Sequence, residues 1–206
     1  MQALKANTNL VWCGFYLGPA PSHHSDSWMT QRAQLQANGW GLAPLYVGQQ
    51  IIGPGSHNPS TPQGVVDGHH ATQLMTAAGF PQGACVYLDL ENGLPFPPLL
   101  QQYTVSWIDT VQNDQFRAGV YCSHAFAEEV HVLRPSVRIW AFKVTTTQPH
   151  PVPGPPYPDT HPAGSGYTGA YIWQLGQDCQ ISPPHVPGGT LTVDLDTAVG
   201  PDPSAP

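Results

Sequence analysis

Two acidic residues, Asp89 and Glu91, have the spacing needed for acid–base chemistry. They lie at the end of an apolar run over residues 84–90, which predicts a β-strand, and Gly93 and Pro95 end that strand. Alternate side chains on a strand share a face, so both acids point the same way, about 7 Å apart at the backbone. Two such carboxyl groups tend to separate their pKa values, so that one stays ionised while the other keeps a proton. Hydrolysis of a glycosidic bond uses such a pair.

A second acidic pair, Asp194 and Asp196, ends the predicted strand over residues 191–195. We expect one of these residues to add a carboxylate to the same site, where it would orient a sugar substituent or stabilise positive charge in the transition state. The alternative for both pairs is structural. Acids at strand ends also cap a following helix or are solvated in a turn.

Several aromatic and amide side chains are candidates for sugar binding. Tyr16, Tyr46 and Tyr121 lie towards the C-terminal ends of predicted strands, and aromatic rings stack on the C–H faces of sugars. Most of the strand aromatics are expected to be core, and Trp12, which begins its strand, is expected to be structural. Three amides are possible partners for sugar hydroxyl groups. These are Gln49, Gln50 and Gln174.

Short apolar runs and helical periods alternate along the chain. Seven strands are predicted, over residues 11–17, 42–47, 84–90, 118–121, 137–144, 170–175 and 191–195. Helices are predicted over residues 26–38, 68–78, 99–113 and 126–133. This alternation is typical of right-handed βαβ units, so we expect a parallel α/β fold, a TIM-type (β/α) barrel. A barrel of eight strands needs one more, and we expect a first strand upstream of Met1.

Residues 1–199 form one predicted domain, and residues 200–206 are expected to be a linker or a frayed tail. Two Pro/Gly-rich segments follow strands, over residues 49–67 and 145–169. Loops that follow barrel strands surround the active site, so these segments are predicted to be walls of a cleft. An insertion without a role is the alternative for the second.

Composition excludes several classes of partner. The net charge is -7 and no cluster of basic residues is present, so nucleic acid is not expected to bind. No run of 18 apolar residues predicts a membrane span, and the first residues lack a signal-peptide pattern, so localisation is left open and secretion would need an upstream export segment. The four widely spaced cysteines are expected to be buried thiols.

The ten histidines do not predict a metal site. His23 and His24 are adjacent, as are His69 and His70, and neighbouring residues on a helix point about 100° apart. No spacing typical of a zinc site occurs, and no Ser nucleophile motif is present. We therefore expect neither a metal nor another cofactor.

Five segments resemble a known family. They span residues 14–23, 39–50, 87–93, 119–124 and 172–174. On these segments the chain is identified as a member of the bacterial glycoside-hydrolase-like domains called domain of unknown function 1906. That family is similar in fold to the family 25 glycoside hydrolases, lysozymes that cleave peptidoglycan on a β/α barrel.

The resemblance implies functional roles for the acids. It implies an Asp-x-Glu on the fourth strand, here Asp89 and Glu91, with Glu91 as general acid, and another acid on the last strand, here Asp194 or Asp196. The family pattern also opens with a Gly-Phe-Asp strand, which this sequence lacks, and loss of that acid could disable catalysis.

The leading functional hypothesis is a glycosidase acting on a bacterial cell-wall or related polysaccharide. Glu91 would be the general acid, and Asp89 would tune it or position an N-acetyl group of the substrate. The alternative is a non-catalytic carbohydrate-binding module. A third possibility is an inert scaffold.

Overall fold

The computed structural model describes residues 1–18, 25–51, 53, 56–144, 149–186 and 188–206. The strands are β1 (Trp12–Tyr16), β2 (Gly41–Val47), β3 (Cys85–Asp89), β4 (Arg117–Ser123), β5 (Arg138–Phe142), β6 (His150–Pro151), β7 (Ile172–Ile181) and β8 (Leu191–Ala198). The α-helices are α1 (Gln2–Asn7), α2 (Arg32–Ala37), α3 (Thr61–Ala77), α4 (Pro98–Asn113) and α5 (Ala127–Leu133), with 3-10 helices at Ser27–Gln31 and Pro162–Ser165.

The strands form one eight-stranded sheet within the described residues, which confirms the predicted α/β class. Strands β1 to β5 pair in sequence order, and β7 follows β5, all in parallel. The two-residue β6, inside the segment predicted to be a loop, also pairs with β7 in parallel. Strand β8 is antiparallel to β7, so the expectation of parallel pairing is wrong for the last strand. Strand β8 is antiparallel because the link between β7 and β8, over residues 182–190, is short and contains turns and no described helix. A parallel connection needs a longer crossover.

The sheet is strongly curved. Trp12 on β1 and Trp140 on β5 are separated by four strand spacings, about 19 Å in a flat sheet. Their ring centroids are nevertheless 5.6 Å apart. Residues of β1 and β8 also line a common cavity of about 350 Å³, although no strand pairing joins β8 to β1 in the described part of the chain. This curvature is compatible with a TIM-like barrel, and the upstream first strand stays a prediction.

Helices α3 and α4 cover the convex face of the sheet. Helix α3 begins earlier than predicted, because the Ser60 hydroxyl oxygen accepts a hydrogen bond from the Gln63 backbone N–H and caps the helix. The two helices lie close together at Gly64. A Cβ atom there would lie 2.0 Å from the Ser106 hydroxyl oxygen. Large buried side chains of α4, such as Trp107, then fill the layer between helices and sheet.

The C-terminal segment closes the end of the sheet where the strands begin. The Ser204 backbone N–H donates to Leu42 at 2.8 Å, and its carbonyl accepts from Cys85 at 2.8 Å. The Arg138 guanidinium donates to the carbonyl of Ala205 at 2.6 Å. The last residues are therefore hydrogen-bonded into the fold, unlike the frayed tail expected from their composition. They supply partners for backbone groups at the starts of β2 and β3.

The cysteines are free thiols, as the sequence analysis predicted. Three of the four are buried, and Cys13 is partly buried. In the part of the chain that the structure describes, no helix has both the length and the hydropathy required to span a bilayer.

Candidate active site

One cavity of about 260 Å³ brings all four predicted acids together. It opens where β1 and β3 end, at Tyr16 and Asp89, which is the edge that the sequence predicted. Most of the predicted site residues line it. These are Tyr16, Asp89, Glu91, Tyr121, Gln174, Asp194 and Asp196.

Asp89, the last residue of β3, is the buried acid of this cavity. The residue is 3% exposed, and its Oδ1 atom forms no hydrogen bond within the described part of the chain. Burial and, to a smaller extent, the negative charge of Glu91 raise the pKa of the Asp89 carboxyl to about 8. Asp89 therefore keeps a proton at neutral pH.

Glu91 lies two residues beyond β3 and is exposed to solvent. The side chain of Gln50 holds this part of the backbone: its Nε2 donates to the Asp89 carbonyl at 2.7 Å, and its Oε1 accepts from the Glu91 N–H at 3.0 Å. Gln50 is 1% exposed, so its amide acts like a neighbouring strand that fixes the Asp-x-Glu segment. Both ends of the Gln50 amide are therefore hydrogen-bonded to backbone groups, whereas the sequence analysis predicted that Gln50 binds sugar hydroxyl groups.

The second acidic pair is held by hydrogen bonds from β5 and β7. Asp196 accepts from the indole N–H of Trp140 at 2.8 Å. Asp194 accepts from Gln174 Nε2 at 2.9 Å and from the Asp178 backbone N–H at 2.9 Å, beside an irregularity in the β7–β8 pairing. Although part of Asp196 is accessible to solvent, burial raises its pKa to about 8, against the opposing effect of the Trp140 hydrogen bond. Burial also raises the pKa of Asp194.

Tyr16 and Tyr121 are surrounded by the four acids. Burial raises the pKa of both phenols, and the negative charges of the four carboxylates raise it further. The Tyr121 hydroxyl donates to Gln174 Oε1. Because the other end of the Gln174 amide donates to Asp194, the side chain of Gln174 has a fixed orientation.

Tyr46 does not line the cavity. Its hydroxyl is 3.1 Å from His70 Nδ1 and its ring packs against Trp107 on the helical side of the sheet. Its neighbour Leu45 faces the cavity instead, as strand alternation requires. Gln49 is likewise turned away, with its Nε2 donating to Asp67 Oδ2 at 3.1 Å.

The sequence analysis missed two cleft-lining side chains. Trp140 was not among the predicted site residues, yet it lines the cavity and its indole N–H donates a hydrogen bond to Asp196. Gln177 lies beyond the predicted end of its strand, because β7 continues to Ile181. The alternation of side chains along β5 could have indicated the position of Trp140, because it places Trp140 and Phe142 on the same face of the strand.

A second hollow of about 200 Å³ adjoins the first. The two share the lining residues Glu91, Tyr121, Gln174 and Gln177. Glu91 therefore lies at the boundary between two hollows.

The histidines take other partners. Nδ1 of His69 lies 2.8 Å from the Asp114 carboxylate, while His70 contacts Tyr46. Among the described residues, no group of three or more His, Cys, Asp or Glu side chains is placed to hold a metal ion. His23 and His24 lie outside the described residues.

A family model described as Rv2525c-like, glycoside hydrolase-like domain matches residues 2–179. The chain belongs to this family. No curated protein matches the chain.

Three similar solved structures share the fold of this family member. The Mycobacterium tuberculosis Tat-secreted protein Rv2525c has a TM-score of 0.60 at 17% identity, over 95% of this chain and 87% of that one. The catalytic domain of endolysin ply40, from bacteriophage P40 of Listeria monocytogenes, has a TM-score of 0.59 at 12% identity, over 97% and 87%. The Clostridium perfringens spore cortex lytic enzyme SleM has a TM-score of 0.56 at 14% identity, over 91% and 60%. At these identities the likeness shows the fold.

Proposed function

We propose that this chain is a glycoside hydrolase that cleaves a bacterial cell-wall glycan or a related polysaccharide on a TIM-like barrel. The observation that carries the proposal is the placement of Glu91. It is exposed at the boundary between two adjoining hollows, beside a buried, protonated Asp89. A glycosidic bond that joins sugars in the two hollows would lie within reach of the Glu91 carboxyl.

Glu91 is the proposed general acid. It donates a proton to the glycosidic oxygen as the bond to the anomeric carbon breaks, and then, as a carboxylate, takes a proton from the attacking water. Asp89 lines only the first of the two hollows, so it is not placed at a bond that joins sugars in both. Asp89 is proposed instead to position a substituent of the sugar in that first hollow.

Asp194 and Asp196 are proposed to stabilise positive charge. The transition state of glycosidic cleavage resembles an oxocarbenium ion, and its positive charge favours ionisation of the acids on the β8 side of the cleft, including Asp196 with its pKa of about 8 in the free protein. The hydrogen bonds from Gln174 and Trp140 hold these two side chains in place before the substrate binds. Tyr16 and Tyr121 supply the aromatic surface for the sugar rings.

Family membership and the fold shared with two lytic enzymes support a glycan as the substrate. The chain's own acids support hydrolysis, because cleavage of a glycosidic bond uses two carboxyl groups in different environments, and here one is buried and the other exposed.

Release of new reducing ends from peptidoglycan and soluble glycans tests the proposal. Glu91→Gln should lower the rate at least about a hundredfold, since it removes the proton donor and keeps the shape. Glu129→Gln, at an exposed acid on α5, is the matched control and should retain the rate. Saturable glycan binding by the wild-type chain without new reducing ends would favour the non-catalytic binding module instead.

A further inference from the structure

The ionisable side chains that line the cleft are acids and tyrosines. Four carboxyl groups line the two hollows, and no Lys or Arg lines them among the described residues. The net charge of the whole chain, -7, has the same sign. A ligand group with positive charge therefore complements this cleft better than a neutral or an anionic one.

Asp89 supplies a second observation that points to a ligand. Its Oδ1 atom is buried, lacks a hydrogen-bond partner within the described part of the chain, and belongs to a side chain that lines the cavity. Buried polar atoms without partners destabilise a fold and are rare. A hydrogen-bond donor on a bound ligand would satisfy this oxygen.

The arrangement suits an ammonium group better than a metal ion. The acids are distributed around a cavity of about 260 Å³ and, within the described residues, do not gather as a metal-binding group. An ammonium group has three donors and is also attracted to aromatic rings. Three aromatic side chains line the same cavity. They are Tyr16, Tyr121 and Trp140.

We propose that this cleft recognises a de-N-acetylated amino sugar, whose ammonium group donates a hydrogen bond to Asp89. The inference rests on the proposed function, because it names the class of sugar bound in the same cleft. The titratable groups that face Asp89 across the cavity come from β1, β4 and β8 and from the end of β3. They are Tyr16, Tyr121, Asp194, Asp196 and Glu91. None of them brings a positive charge, so the ligand supplies it.

A bound ammonium group would change the protonation of Asp89. Burial and the charge of Glu91 hold the pKa of Asp89 at about 8 in the free protein. A bound ammonium group stabilises the carboxylate form and so lowers this pKa. An N-acetyl group is neutral and has no such effect.

Binding of monosaccharides tests the inference without any cleavage. Glucosamine, N-acetylglucosamine and glucose contain no glycosidic bond, so the wild-type chain can be titrated with each by NMR at about pH 6.5, where a sugar amine is protonated. We expect glucosamine to bind about ten- to a hundredfold more tightly than the other two. Asp89→Asn should remove most of this preference, whereas the exposed Glu129→Gln should retain it.

The outcomes separate this inference from the proposed function. Equal binding of the three sugars, tighter binding of N-acetylglucosamine, or no binding of any of them overturns the ammonium site. Release of reducing ends from an N-acetylated glycan would still support a hydrolase in those cases. A glucosamine preference that depends on Asp89, without cleavage of any glycan, would support the ammonium site and overturn the hydrolase.

Discussion

Replacement of Asp89 by Asn should stabilise the fold, because it removes a buried group that resists ionisation. The pKa of Asp89 is raised from its ordinary value of 3.8 to about 8. Between these two pH values the folded chain holds a proton that the unfolded chain has lost. The stability of the wild-type chain therefore falls as the pH rises through this window. Asn cannot ionise and does not contribute to this loss.

The size of the effect follows from the pKa. Each pH unit inside the window is worth about 1.36 kcal/mol. Asp89→Asn should therefore be more stable than the wild-type chain by about 2 kcal/mol near pH 5.5 and about 4 kcal/mol near pH 7. The difference levels off above about pH 8, where Asp89 is ionised in both states, and it vanishes below about pH 4, where Asp89 is protonated in both.

Guanidinium unfolding followed by tryptophan fluorescence, at several pH values from about 5 to 9, measures this difference. Glu129→Gln serves as the control, and the difference between this variant and the wild-type chain should stay flat with pH because Glu129 is exposed. An Asp89→Asn variant that is less stable than the wild-type chain, or whose advantage does not grow between pH 5 and pH 8, would refute the placement of a protonated Asp89.

Two further substitutions and one deletion test the elements that support the site. Gln50→Ala leaves the Asp89 carbonyl and the Glu91 N–H without their side-chain partner, so kcat for glycan cleavage should fall about tenfold or more with a smaller change in KM, in steady-state kinetics. Gly119→Ala would place a Cβ atom 2.3 Å from the Tyr87 ring, and urea unfolding should show a loss of about 1–3 kcal/mol. Deletion of residues 202–206 removes backbone partners at the starts of β2 and β3, and the melting temperature should fall by several degrees, corresponding to about 2–3 kcal/mol.

Local sequence signals were sufficient for most of the sheet. Each of the seven predicted strands is present, because short apolar runs between turn residues are a strong local signal. Strand β6 and the direction of β8 depend on distant pairing partners on β7, which no local pattern reveals. The docking of the C-terminal segment depends in the same way on Leu42 and Cys85, more than a hundred residues earlier in the chain.

The site could be predicted where strand alternation determines the face of the sheet on which a side chain lies. Alternation on β3 correctly placed Asp89 and Glu91 at one cavity. The same rule was not applied to β2, where it places Tyr46 on the face opposite to that of Leu45, which lines the cavity. The difference in exposure between Asp89 and Glu91 depends on where β3 ends. The role of Gln50 depends on a loop conformation that sequence alone does not specify.

The most direct test of the proposed hydrolase is a time course of reducing-end release from a bacterial wall glycan, with the wild-type chain, Glu91→Gln and Glu129→Gln in parallel. We predict release by the wild-type chain and by Glu129→Gln, and loss of at least about a hundredfold in Glu91→Gln. Full activity in Glu91→Gln would contradict the assignment of Glu91 as general acid, and no release by the wild-type chain from any glycan would contradict the hydrolase itself.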